Sequence, residues 1–273
     1  QRAVPLVEQT AAEYLNGQLQ MDTMEVSPDL TFTARNVRLE DASGNPVARI
    51  PALSLRLDPL KVLQGSSSMG MITRITLHQP ELYLVQGEDQ QWNVANLLNP
   101  SQSTSTDFKA PIMIEEGRVT LTVPYGSWQA GLDGRVDTSG NPLFGVDLTV
   151  TRSNQTLHVA GHLDTSRQGT LTVQTDFLAL GDYAALAEQF LPLSSLGGAV
   201  EDATLTWTNN ARGSQLSGQA DLRQVGATYI YEGQPLALTA DGHVSFDNLR
   251  FTAQNLDVTV NGQKARLQGR MDL

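Results

Sequence analysis

The sequence predicts a mostly β fold: one long antiparallel sheet, curved along its length, with an apolar interior groove, a short N-terminal helix and one inserted helix. Three observations carry that reading. One short phrase keeps returning: Leu132-Asp133-Gly134-Arg135-Val136-Asp137, then Val159-Ala160-Gly161-His162-Leu163-Asp164, Leu216-Ser217-Gly218-Gln219-Ala220-Asp221 and Leu267-Gln268-Gly269-Arg270-Met271-Asp272. Each copy places its apolar residues and its glycine on one strand face and its polar residues on the other. Such repetition favours stacked units of sheet over a compact enzyme built around a pocket. Second, alternating apolar segments arrive roughly every 8–12 residues with polar turns between them. Third, Gly134, Gly161, Gly218, Gly242 and Gly269 stand inside strands on the apolar face, where glycine weakens a strand and lets a sheet bend.

Taken in order, Val4, Val7, Ala11 and Tyr14/Leu15 recur at helical spacing with Gly17 at a C-cap position. A short amphipathic helix is expected from Pro5 to Asn16. Its polar side carries Glu8 and Glu13, which suits a cap over the sheet's open end better than a membrane surface. Leu30, Phe32 and Ala34 alternate, and Val37 and Leu39 continue in a shifted register, placing a bulge near Arg35-Asn36. Ser43-Gly44-Asn45-Pro46 is a turn, and Leu53, Leu55 and Leu57 form the next apolar face. Leu60 to Leu63 fit one helical turn before Gly65-Ser66-Ser67-Ser68. Met71 to Val85 supplies a strand pair or one long bent strand, with Pro80 confining it to an edge or bulge. Ser101 to Thr106 is polar and of low complexity. The domain organisation expected is therefore 1–100 (helix and first strands), 101–110 (a flexible loop) and 111–273 (the groove segment).

The groove segment opens with Val119/Leu121/Val123. Its predicted lining comes strand by strand: Leu132 and Val136; Val146, Leu148 and Val150; Leu157, Val159 and Leu163; Leu171 and Val173. One helix interrupts, capped by Asp182, carrying Leu186 and Phe190 four apart and ended by Pro192. The lining resumes with Leu205, Leu216 and Leu222, then Leu236 and Leu238, then Val244 and Phe246. It closes with Phe251, Val258 and Val260, then Leu267 and Met271.

A net charge of −11 and a pI near 4.7 disfavour nucleic acid as a partner, because that affinity comes largely from Lys and Arg on phosphates. The chain has no cysteine, which excludes disulfides, thiol nucleophiles and Cys-ligated zinc. That composition suits an oxidising envelope space. No run approaches the roughly 18 apolar residues a spanning helix needs. A start at Gln1 and an end directly after a strand phrase read as an excised piece of a longer protein.

Catalytic and metal chemistry finds little purchase in the residues. His158 and His162 share a polar strand face but lack a third ligand nearby, so no metal is expected. His78 and His243 stand isolated. Glu88-Asp89, Glu115-Glu116 and Glu201-Asp202 read as solvated charge at turns and strand ends. Ser66-Ser67-Ser68 and Ser194-Ser195 lack a nucleophile-elbow context, and there is no phosphate-cradling loop, so no catalytic residue and no cofactor is expected. Trp92, Trp128 and Trp207 fit a core boundary better than sugar stacking.

From spacing alone, the mid-strand glycines fit either an open trough or bulges in a closed sandwich or solenoid. A resemblance bears on that choice. Ala34-Arg35-Asn36-Val37-Arg38-Leu39, Ile50-Pro51-Ala52-Leu53-Ser54-Leu55 and Leu60-Lys61-Val62-Leu63-Gln64-Gly65 are followed by Ile75-Thr76-Leu77-His78-Gln79-Pro80-Glu81-Leu82-Tyr83-Leu84 and by Gln91-Trp92-Asn93-Val94 with Leu97-Leu98. In this order they resemble the AsmA-like proteins, the family that includes TamB. Gly242-His243-Val244-Ser245-Phe246, Val260-Asn261-Gly262-Gln263 and Gly269 are similar to that family's repeated strand phrases; Gly87 stands farther from Trp92 than is usual there. The resemblance implies a lengthwise-folded sheet (a β-taco) in the periplasm of a diderm bacterium, anchored in the inner membrane by an N-terminal helix missing from this chain. It implies a bridge-like transporter of phospholipid or another acyl lipid, with an outer-membrane β-barrel protein as a further partner. The expected role is thus a non-enzymatic lipid conduit. The alternatives are a scaffold that pairs strands with a barrel subunit, and a sugar-binding or adhesive β-solenoid.

Overall fold

The computed structural model describes residues 15–64, 69–87, 90–94, 97, 110–124, 126–140, 143–164, 166, 168–190, 192–211 and 213–272. Sixteen strands of one long, mainly antiparallel sheet account for most of them, with very little helix, so the fold class is the one the repeats predict. Residues 5–14 of the expected N-terminal helix and 101–109 of the expected loop lie outside the described residues; Leu15 and Asn16, where that helix was expected to end, are not helical. The chain divides into two compact units, 1–150 and 151–273.

The first unit holds β1 (Gln18–Gln20), β2 (Thr23–Val26), β3 (Thr31–Glu40), β4 (Pro46–Leu57), β5 (Ile72–His78), β6 (Glu81–Val85), β7 (Pro111–Val123), β8 (Gly126–Gly140) and most of β9 (Leu143–Arg152). The hydrogen-bonded order is β1-β3-β4-β5-β7-β8-β9, with β2 on β3 and β6 between β4 and β7. A uniformly antiparallel sheet was the expectation; β7 instead runs parallel to both β5 and β6. A parallel pair needs a crossover of a dozen or more residues, and the stretch between Val85 and Pro111 is long enough.

Asn36, Gln79 and Glu116 all take positive φ, at 52°, 51° and 53°. The register sets Asn36 against Pro51, Pro51 against Gln79 and Gln79 against Glu116, because Ala52 pairs His78, Val37 pairs Ile50 and His78 pairs Glu115. Strand alternation flips at each: the apolar face passes from Ala34 to Val37, from Leu53 to Ile50, from Leu77 to Leu82 and from Ile114 to Val119. The bends thus fall in one line across the strands and fold this unit lengthwise. Side chains from the two halves meet over that line, where Met21, Ala34, Val37, Ala48 and Ile50 are buried with Leu39, Leu53, Leu77 and Leu82 packed on them. The bulge read near Arg35-Asn36 is there as the Asn36 bend. Residues 72–85 behave as one long bent strand: β5 and β6 hold a continuous register against β4 and β7 across Gln79-Pro80. Pro80 is fully buried and its carbonyl accepts the Arg118 N–H at 2.7 Å.

The β4–β5 connection contains α1 (Pro59–Leu63), the helical turn expected there. The Trp92-Asn93 phrase closes the end of β6. Asn93 Oδ1 accepts the Val85 N–H at 3.0 Å, and its Nδ2 donates to the Tyr83 carbonyl at 2.8 Å.

The second unit holds β10 (Gln155–Leu163), β11 (Gly169–Ala179), β12 (Leu193–Asn210), β13 (Gly213–Tyr231), β14 (Gln234–Asp247), β15 (Arg250–Val260) and β16 (Gln263–Asp272), a plain antiparallel meander. Between β11 and β12 lie a 3-10 turn at Leu180–Tyr183 and α2 (Ala184–Phe190). The inserted helix was expected; its cap was not read correctly. Asp182 sits inside the 3-10 turn, and its carboxylate accepts from Nε2 of buried Gln155, whose Oε1 accepts the Ala179 N–H at 3.2 Å. The side chains of Leu186 and Phe190 lie outside the described ones.

Bends recur in this unit. Asp202, Gln224 and Asn255 take φ of 46°, 48° and 53°, beside register shifts at Glu201/Thr204, Leu222/Val225 and Ala253/Leu256. Two-residue turns at Glu232-Gly233 and Asn261-Gly262 have positive φ at both positions, the geometry that matches strand twist in tight hairpins.

Candidate functional site

Cross-strand registers decide which residues share a face. In the second unit they align Val159, Val173, Leu205, Gly218, Phe246, Phe251 and Met271 in one unbroken row over β10 to β16. Gly161, Leu171, Trp207 and Leu216 form the row beside it. Beyond the bends, Leu222 follows Val200, Leu238 pairs Val260, and Ala240, Val258 and Ala265 align. Leu236 pairs Tyr229, and Val244 aligns with Ala220, Ala253 and Gly269. Leu157 and Leu163 extend the β10 side of the same face. Seven strands at ~4.8 Å spacing give the first row a length of about 29 Å.

The opposite face is polar. Thr172 and Thr206 hydroxyls lie 3.4 Å apart and Thr170 and Thr208 hydroxyls 3.3 Å apart. Gln219, Ser245, Thr252 and Arg270 continue that face by register. Ion pairs join Arg223 to Glu201 at 2.8 Å, Arg250 to Asp272 at 2.9 Å and Arg266 to Asp257 at 2.7 Å. Hydrogen bonding from Arg266 holds the Asp257 carboxyl below its usual range.

The apolar rows are not packed shut. Among the described apolar residues of this unit only Ala253 and Leu256 are buried, at 6% and 5% exposure. Val159, Val173, Leu222, Val244, Phe246, Phe251 and Val258 are half-buried, while Leu205, Leu216, Val260, Leu267 and Met271 are exposed, Met271 to 53%. A soluble surface rarely leaves so much contiguous apolar area without a partner. In the first unit Val136 lies in a row with Ile112, Ile75, Leu55 and Phe32, and Val146, Leu148 and Val150 on β9 are half-buried. Leu132 departs from the rest: it is buried near the line of bends. Trp207, Phe246 and Phe251 stand in its rows among the aliphatic side chains.

The glycines do two things. Gly134 has φ 137°, and a Cβ there would meet the Asp147 carbonyl oxygen at 2.2 Å; Gly242 has φ 135°, with the Asn255 carbonyl oxygen at 2.6 Å. Both lie at register shifts, as one reading of the spacing had it, and the strands bend there, whereas Gly161 and Gly218 lie in unshifted register.

Two histidines taken as isolated are not. His78 Nδ1 lies 2.9 Å from Glu115 Oε2, and its Nε2 lies 3.3 Å from Ser54 Oγ. His243 Nδ1 lies 2.8 Å from Asp221 Oδ1. Glu116, read as solvated charge, accepts from Gln79 Nε2 at 2.8 Å. The order Ser54, His78, Glu115 is that of a hydrolytic relay. It lies in mid-sheet on β4, β5 and β7, where backbone N–H groups are committed to neighbouring strands and cannot turn toward a developing oxyanion.

No protein-family model matches the chain, and no curated protein is similar enough to it to count as a relative.

Proposed function

We propose that this chain is a segment of a non-enzymatic lipid conduit, an AsmA-like protein of the TamB type. In this reading it works in the periplasm of a diderm bacterium, with its parent anchored in the inner membrane by an N-terminal helix. The supporting observation is the row from Val159 to Met271: seven strands wide, apolar or glycine at every step, and left half-open by the protein's own side chains. Acyl tails of a phospholipid lie along that face while the headgroup stays in water. A methylene leaving a membrane costs about 0.8 kcal/mol when exposed, so a 16-carbon tail faces roughly 12 kcal/mol. A continuous apolar row removes most of that cost, and the absence of polar residues within the row leaves no deep trap to stop sliding.

The test is a photo-crosslinking residue placed at Val173 and, separately, at the adjacent Thr172 on the polar face, in cells. Lipid adducts at 173 and none at 172 are the expected result. Equal labelling at both positions, or none at 173 in folded protein, would sink the conduit.

A further inference from the structure

Among the described residues, the β4–β5 connection carries the most exposed large apolar side chain. On α1, Leu63 is 84% and Leu60 68% exposed, with Val62 beside them. Leu60 and Leu63 are three apart on a helical turn, the spacing that brings side chains to one side. The platform beneath them is built. The Asp58 carboxylate accepts the Leu60 N–H at 2.9 Å, the Asp58 N–H donates to the Met71 carbonyl at 2.9 Å, and Lys61 Nζ donates to the Gly70 carbonyl at 2.7 Å. These leucines therefore protrude from a tied structure.

Charge around the tip runs against that of the chain. Arg56 and Arg74 are register partners at the end of the β4–β5 pair, both exposed, and Lys61 lies on the connection between them. Asp58 is spent on the cap, and Asp29, beside Thr31, accepts from Thr31 Oγ1 at 2.9 Å. From Arg56 to Arg74 the chain carries three cations and one carboxylate, a local reversal in a chain of net charge −11. Leucines that protrude, with cations around them, suit a soft planar partner with an apolar interior and an anionic surface. A protein partner would need a cleft shaped to receive them.

We propose that the tip formed by the end of β4, α1 and the start of β5 docks on an anionic lipid bilayer. Leu60 and Leu63 enter the acyl region while Arg56, Lys61 and Arg74 meet lipid phosphates. Docking stands without the conduit reading. One consequence rests on it: Leu57 and Leu55 continue the apolar face from the tip into the sheet, so a tail leaving the bilayer at this point meets apolar surface at once.

The experiment is flotation of the full chain with vesicles of phosphatidylcholine alone and of phosphatidylcholine containing a quarter phosphatidylglycerol. The protein should float with the anionic vesicles, weakly with the neutral ones, and lose binding in high salt. Leu60→Ser with Leu63→Ser should lower partitioning about tenfold or more. Lys61→Gln and Arg74→Gln should each lower it about fivefold, and Leu249→Ser, which removes an equally exposed leucine at another hairpin, should change nothing. Circular dichroism checks that each variant is folded. A wild-type chain that stays at the bottom of the gradient overturns the proposal, as does undiminished flotation of the double serine variant. Equal flotation with both vesicle types overturns the anionic assignment. Lipid adducts at position 173 are scored separately, so failure of docking and failure of the conduit are told apart.

Discussion

The Asp133 carboxylate accepts the backbone N–H of Glu116 at 2.7 Å, where β7 carries an extra residue against β8. The relationship recurs in the second unit, where Asp241 accepts the Gln224 N–H at 3.1 Å beside the Leu222/Val225 shift. In both places the donor is a non-glycine residue at positive φ, and the acceptor directly precedes a glycine at positive φ. An Asp-Gly pair on one strand thus satisfies and fits the bend of the strand before it. Asp133→Ala should cost about 1 kcal/mol in urea unfolding and Asp133→Asn much less, since an amide oxygen still accepts the hydrogen bond.

Glycine at the bend is set by backbone approach. Gly134→Ala forces a Cβ against the Asp147 carbonyl in a conformation L residues rarely adopt, and should destabilise by about 3 kcal/mol or more. Gly145 lies on β9 with only an ordinary contact at 3.4 Å to Asp137 Cβ. Gly145→Ala should stay within about 1 kcal/mol of wild type. Equal costs for the two would refute this account of the bends.

The two units should answer differently to core truncation. Val37 is 2% exposed where the halves of the first unit meet, so Val37→Ala should cost about 2 kcal/mol. Leu205 is 39% exposed in the open row, so Leu205→Ser should cost less than about 1 kcal/mol. The same substitution should nonetheless weaken lipid adducts at neighbouring Val173. A large loss of stability at 205 would mean the row is filled in solution.

Acid should loosen the β3–β4 turn. Burial pushes the Asp41 carboxyl up, but hydrogen bonds from Asn45, Ser43 and Gly44 outweigh it and hold the group below its usual 3.8. A depressed folded-state value means the stabilisation is complete above about pH 4 and is lost as pH falls through the folded value. Asp41→Asn should remove this part of the acid dependence. Carbon-detected NMR titration of Asp41 reads it directly, and a midpoint at or above 3.8 would contradict it.

Much of the sheet was legible because its information is local. Alternating apolar residues fix which side chains share a face, so Val159, Val173, Leu205, Phe246, Phe251 and Met271 fall into one aligned row, whereas Leu163 aligns with Gly169, Asn209 and Ser214. Turn chemistry at Ser43-Gly44-Asn45-Pro46 and the single turn at Leu60–Leu63 were readable for the same reason. The bends were half-legible. A shifted register betrayed the bend at Asn36 and glycine those at Gly134 and Gly242, whereas Gln79 and Glu116 adopt positive φ with side chains that do not announce it; Asp133 on the next strand accepts the Glu116 N–H. The parallel placement of β7, the His78–Glu115 contact and the grip of Gln155 on Asp182 depend on register between segments 27 to 37 residues apart, and no periodicity within either segment encodes them. Asp182 shows a change of role: a cap in sequence terms is a tether in the structure.

At Glu116 and at Gln224 the compensating hydrogen bond comes from the strand immediately next to the bend. A duplicated hairpin inserted into such a sheet arrives with every part it needs, so the architecture lengthens by gene duplication without renegotiating the strands already in place. Reach, in a protein built this way, is inherited by copying and tuned by counting.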